Sequence, residues 1–202
     1  MKKKILNNCI KFIKANKKEL NEEQIEIIEY GLESLYLTIT KIVVIILLSL
    51  ILNIFKETVL MILFYNIIRF FAFGLHTKNS SACLFTSILL FIVGAYLAIY
   101  LKINIIIKII LSIISLILII IYAPADTEKR PLINEVKRKR FKLLSIITST
   151  IMTLLIIFLN NNYITNLMFV GFVEATIMIL PITYKLYGVS YNNYKNYNAL
   201  YN

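Results

Sequence analysis

The 202-residue chain holds a single histidine and two cysteines, and that histidine, His76, stands seven residues before Cys83. A thiolate and an imidazole are the minimum set for covalent acyl transfer, in which sulfur attacks a carbonyl carbon and a ring nitrogen carries the proton. In one continuous helix seven residues climb about 10.5 Å, beyond hydrogen-bond reach, so the two act together only if the chain turns between them. Asn79-Ser80-Ser81 is a polar break that permits the turn, with Ser80 or Ser81 expected as the N-cap of the following helix. Cys83 then falls in the first helical turn, where unpaired N–H groups and the positive dipole end favour a thiolate. His76 is expected at the end of the preceding helix, with Arg69 seven residues earlier on the same face. The competing reading is structural, with His76 as an interfacial anchor and Cys83 as a small packed residue.

The elements that must position this pair are those of a membrane protein. Hydrophobic residues make up 59% of the chain and charged ones 16%, against about 45–50% and about 25% in soluble domains. Mean hydropathy is +0.77. The net charge of +11, carried in so apolar a chain, points to a lipid bilayer rather than nucleic acid as partner. One histidine excludes a His-rich metal site, two cysteines exclude a disulfide framework, and no cofactor is expected.

Apolar runs at 36–54, 58–76, 82–101, 103–123, 143–159 and 164–187 predict an all-α, multi-pass protein with six transmembrane helices. With the N-terminus inside, cytoplasmic segments carry 17 basic residues, and the external loops hold only the 2 residues Lys56 and Lys102. That asymmetry predicts both termini in the cytoplasm, with His76 and Cys83 at the cytoplasmic membrane edge. Residues 1–35 read as a basic amphipathic arm, 36–187 as the transmembrane domain and 188–202 as an unstructured tail. Within the arm, Ile5, Cys9, Ile10 and Ile13 recur at helical spacing opposite the lysines, and Asn21 with Gln24 resembles the cap of a second short helix.

Ionisable groups inside spans are costly and call for an explanation. Lys41 and Lys108 lie near span ends, where a long side chain reaches the interface. Arg69 and Glu174 fall near the middle of the second and sixth spans and are expected to pair across the bundle. No internal repeat of the transporter kind is visible.

Arg69-x-x-Ala72-x-Gly74-x-His76, followed by Ser80 and Cys83, resembles the catalytic signature of the accessory gene regulator B (AgrB) proteins, membrane cysteine endopeptidases of Gram-positive quorum sensing. The run Tyr122-Ala123-Pro124-Ala125-Asp126-Thr127, with Pro131 after it, is similar to the second family signature. In the first motif Phe73 replaces one glycine of the commonest form, and Thr77 follows the histidine. The resemblance implies that Cys83 is the nucleophile and His76 the general base. The implied substrate is a short AgrD-like propeptide with an amphipathic leader and an acidic tail, cleaved before that tail and held as a thioester until an internal Cys or Ser closes a thiolactone or lactone ring. The basic run Lys137, Arg138, Lys139 and Arg140 offers a surface complementary to the acidic tail, and serves equally as a positive-inside anchor. Arg69, Gly74, Ser80, Asp126 and Glu174 are the remaining candidates for supporting or substrate-binding roles, and a second copy of the chain is a candidate partner. A small transporter or export channel, and a structural membrane subunit, are the alternatives from other classes.

Overall fold

A computed structural model describes residues 2–17, 21–75, 79–127, 131–159 and 162–195. Among them the chain is helical, without strands, and divides into two compact units, residues 1–47 and 48–202.

The first unit contains α1 (Lys2–Asn16) and most of α2 (Glu22–Ile51). Lys11, Lys14 and Lys17 of this arm are exposed. Leu6 is buried while Ile5 is 42% exposed, so the apolar face is Leu6, Cys9, Ile10 and Ile13, the i, i+3, i+4, i+7 set from which Ile5 is offset. Asn21 and Gln24 form a reciprocal capping box, Asn21 Oδ1 accepting from Gln24 N at 2.8 Å and Gln24 Oε1 from Asn21 N at 3.1 Å. The helix it starts is not short, however. Nothing between Glu22 and Ile51 breaks it, and the cap opens a 30-residue helix.

In the second unit each helix has a local reason to begin or end. The helices are α3 (Phe55–Ala72), α4 (Ser80–Ile88), α5 (Gly94–Tyr100), α6 (Ile105–Tyr122), α7 (Glu135–Phe158), α8 (Asn162–Ile177) and α9 (Pro181–Leu186). A π-helical turn, Leu89–Val93, joins α4 to α5. Asn104 caps α6 by accepting from Ile106 N at 2.9 Å, and Asn134 caps α7 by accepting from Lys137 N at 3.0 Å. Pro124 cannot continue α6, and Pro181 opens α9 at the position that tolerates its missing N–H. Buried on nearly all sides, α8 packs against α3, α5, α6 and α7. It comes close to α3 at Gly171, where a Cβ would lie 3.3 Å from Tyr65 N and 3.4 Å from Phe64 Cβ.

Among the described residues each of the six apolar runs is mainly helical, with breaks at 73–75 and 178–180. Four stretches among the described residues are long and apolar enough to cross a membrane: Gly31–Ile51, Ser80–Tyr100, Ile105–Tyr122 and Glu135–Phe158. The 18 residues of α3 include Lys56, Glu57 and Arg69, and α8 is 16 residues long. Large apolar side chains remain exposed on the outer faces, among them Phe85, Ile106, Ile121 and Phe158. Such faces are stable against lipid, where helices satisfy their own backbone groups.

Candidate active site

The helix carrying Arg69 stops before His76. Phe73 adopts φ 59° and Gly74 φ 117°, a left-handed pair that ends α3 at Ala72. A residue with a Cβ is strained at the Gly74 angle, and there its Cβ would also lie 2.9 Å from Met178 O and crowd the Arg69 guanidinium. The helix face that carries Arg69 therefore ends at Ala72. Arg69 Nη2 donates to Leu75 O at 3.0 Å while the guanidinium lies 5.5 Å from the Tyr65 ring centre. His76 itself, with Thr77 and Lys78, lies outside the described residues.

Three main-chain hydrogen bonds lock this hinge. Ala125 N donates to Ala72 O and Gly74 N donates to Ala125 O, both at 2.9 Å, so that Phe73 and Ala125 form a short parallel bridge. Leu75 N donates to Met178 O at 2.9 Å. The hinge is thus held between the loop after α6 and the end of α8, and the Phe73 ring stands edge-on to Phe141 with centres 4.9 Å apart. The two stretches singled out in the sequence, around Gly74 and around Asp126, are in direct contact.

After the hinge, α4 begins at Ser80, with Asn79 rather than either serine in the capping position. Asn79 is already extended, at φ −100° and ψ 133°, and this moves the boundary one residue earlier than the serines suggested. Cys83 is in the first turn, as its spacing required. It is half-buried and in no disulfide; its N–H bonds Asn79 O at 3.0 Å and its carbonyl accepts from Ser87 Oγ at 2.8 Å. One turn on, Thr86 Oγ1 lies 2.9 Å from Tyr187 Oη and bonds Ala82 O at 2.8 Å. Tyr65 is buried and lies within electrostatic reach of Arg69, Glu174, Cys83 and Tyr187. Neither Tyr65 nor Tyr187 stood out in the sequence, where tyrosines are abundant.

The expected ion pair is absent. Arg69 and Glu174 form no salt bridge, and Arg69 Nη1 and Glu174 Oε2 are both buried without a hydrogen-bond partner. The Arg69 guanidinium is taken up by Leu75 and Tyr65, while the Glu174 carboxyl is packed against Gly94. What joins α3 to α8 at this level is the close approach at Gly171. Lys108 also departs from expectation. Instead of extending along the outer face it is 1% exposed, and its ammonium donates to Thr165 Oγ1 at 3.2 Å.

Asp126 is 2% exposed. Its carboxylate accepts from Asn193 N at 3.0 Å, Tyr194 N at 2.8 Å and Leu132 N at 3.3 Å. The tail is consequently folded as far as Lys195, contrary to the reading of an Asn- and Tyr-rich segment as unstructured: Val189 and Asn193 are buried, and Ser190 bonds Asn193. Burial pushes the Tyr191 phenol up to about 12, so it remains protonated at neutral pH, and its hydroxyl donates to Tyr122 O at 3.4 Å. Of the four-residue basic run, Lys137, Lys139 and Arg140 are exposed, but Arg138 is tucked over the Tyr194 ring, 3.2 Å from its centre. No group of metal-ligating side chains occurs among the described residues.

The family model for accessory gene regulator B matches residues 6–179, which includes the hinge, α4 and the Asp126 loop. The chain belongs to the accessory gene regulator B family. An AgrB-like protein of Clostridium acetobutylicum is 34% identical over 184 residues, covering 90% of this chain and 88% of that protein. Accessory gene regulator protein B of Staphylococcus aureus is 34% identical over 181 residues, covering 88% and 95%. An AgrB-like protein of Listeria monocytogenes is 31% identical over 170 residues, covering 84% and 83%. No solved structure matches this AgrB chain.

Proposed function

We propose that this AgrB protein is a membrane cysteine endopeptidase and peptide cyclase of quorum sensing, acting on a short AgrD-like propeptide with an amphipathic leader and an acidic tail. The observation that carries the reading is the helix break between Arg69 and Cys83, which leaves a half-buried thiol in the first turn of α4, just past a hinge fixed by main-chain bonds. The Cys83 thiolate attacks the carbonyl carbon of the peptide bond before the acidic tail, and the proton held by His76 passes to the departing amine as the C–N bond breaks. The acyl group remains on Cys83 as a thioester until a Cys or Ser side chain within the bound peptide attacks it, closing a thiolactone or lactone and releasing the Cys83 thiol. A site at the membrane edge limits the water that would hydrolyse the thioester instead.

The same reading gives six spans, with α3 and α8 joining the four longer apolar helices. Both termini and the site then face the cytoplasm, and the basic arm 1–35 rests on anionic lipid. Exposed Lys137, Lys139 and Arg140 are the surface offered to the acidic tail, whereas Arg138 serves Tyr194. The test is cleavage of a tagged propeptide by purified variants. Cys83→Ala and His76→Ala are each expected to abolish cleavage while the protein still inserts in the membrane, and Cys9→Ala to leave it unchanged. Normal cleavage by Cys83→Ala overturns the proposal.

A further inference from the structure

The tail and the Asp126 loop form a continuous chain of contacts that ends at the hinge. Asp126 binds the backbone of Asn193 and Tyr194, 67 and 68 residues away in sequence, and with Leu132 it closes the loop on itself. Tyr184 is fully buried, and its hydroxyl lies 3.2 Å from Ala125 O and 3.0 Å from Asp126 O. The Tyr191 ring stands edge-on to it at 5.0 Å, and Arg138 covers Tyr194. Ala125, held in this way, supplies both main-chain bonds to Ala72 and Gly74. Ala125 is thus held by the Tyr184 hydroxyl, and the residue after it, Asp126, by the same hydroxyl and by the backbone of Asn193 and Tyr194.

Burying a carboxylate costs several kcal/mol unless its oxygens are hydrogen-bonded. Three backbone N–H groups on Asp126 satisfy that requirement, but only while the tail is folded back. We propose that Asp126 is a positioning residue and the segment Val189–Lys195 a clasp, which together hold residues 123–127 against Phe73–Leu75 and so set the direction in which the chain leaves the hinge toward His76. The inference rests on the Cys83–His76 reading above. It assigns to the C-terminal segment a part in the reaction, although it contributes no reacting atom.

The test compares Asp126→Ala, a chain ended after Gly188, and the two changes combined, all in the full membrane protein with Cys9→Ala. The readouts are kcat and KM for propeptide cleavage, and the pH dependence of Cys83 alkylation. A misplacement of about 1 Å costs up to about 100-fold in rate, so each change is expected to lower kcat by as much as about 100-fold with KM little altered. Each should also move the alkylation profile toward that of His76→Ala. The combination should be no worse than either alone, because both remove the same clasp. Asp126→Asn, which keeps an acceptor for Asn193 N, should recover part of the loss. Wild-type kcat and alkylation in Asp126→Ala and in the shortened chain overturn the clasp. So does a lower yield of protein whose folded fraction has wild-type kcat, because the tail is then only structural. If His76→Ala itself leaves the alkylation profile unchanged, the dyad reading fails, and the clasp inference falls with it.

Discussion

At the end of the second unit where α3, α6 and α8 finish, main chain bonds main chain. Gly74, Leu75 and Ala125 donate to carbonyls of other segments, and the one buried carboxylate of the loop is saturated by backbone N–H groups. At the opposite end the links are made by side chains. Tyr163 Oη donates to Glu57 at 2.6 Å, Asn166 Nδ2 to Ala98 O at 3.0 Å and Leu101 O at 3.3 Å, and Lys108 to Thr165. Rotamers relax and side chains can be exchanged. A backbone pinned by its own amides has no such freedom, and that immobility suits the end that holds the proposed site, since a reacting group needs placement within a fraction of an ångström.

The comparison breaks most visibly at Gly74. Gly74→Ala meets a positive φ and the Met178 carbonyl together, so it should lose at least about 2 kcal/mol in detergent thermal unfolding, along with cleavage. Gly31→Ala, in α2 with open space around it, should be neutral or stabilise by up to about 1 kcal/mol. A tolerated Gly74→Ala would show that the hinge is not rigid.

A smaller effect is expected at Arg69 and Glu174. Arg69→Ala removes a charge-assisted bond to Leu75 O, worth about 1.5–3 kcal/mol. Because no ion pair joins the two residues, their losses in a thermal double-mutant cycle should add to within about 0.5 kcal/mol. A coupling above about 1 kcal/mol would restore the pair.

The smallest effect belongs to the far end. Lys108→Met removes a buried ammonium that has one hydroxyl partner and no carboxylate among the described residues. Stability should be unchanged or rise by up to about 2.5 kcal/mol, with cleavage at the wild-type rate. A clear loss of cleavage would show that the two ends are coupled.

Local chemistry was legible in the sequence, and long-range chemistry was not. The box at Asn21 and Gln24, the stop at Pro124 and the helix break before Cys83 each depend on residues within a few positions of one another, which a sequence displays directly. Asp126 was visible as part of a motif, but its partners at Asn193 and Tyr194 were hidden, since nothing in an Asn- and Tyr-rich stretch announces that its amides will find a carboxylate. Arg69 and Glu174 were recognisable as buried charges in need of company. Pairing by sign does not anticipate the Leu75 carbonyl and the Tyr65 ring, neutral groups that take up part of the guanidinium without a counter-ion and leave Nη1 without a hydrogen bond. Lys108 was misjudged because span position gives depth, not the direction in which a side chain points.

The π-helical turn at Leu89–Val93 has a rotational consequence. Widening one turn takes up a residue and rotates the helix beyond it by about 100° relative to an uninterrupted one. Extending the α-helical spacing from Thr86 and Leu90 would carry Val93 and Leu97 to the interior, yet these are 45% and 44% exposed while Ala95 and Ala98 are buried. The helix therefore turns different faces inward along its two halves. The distal half packs small residues of α5 against α8, and the π turn lets it do so while Cys83 keeps the azimuth set by the first turns of α4.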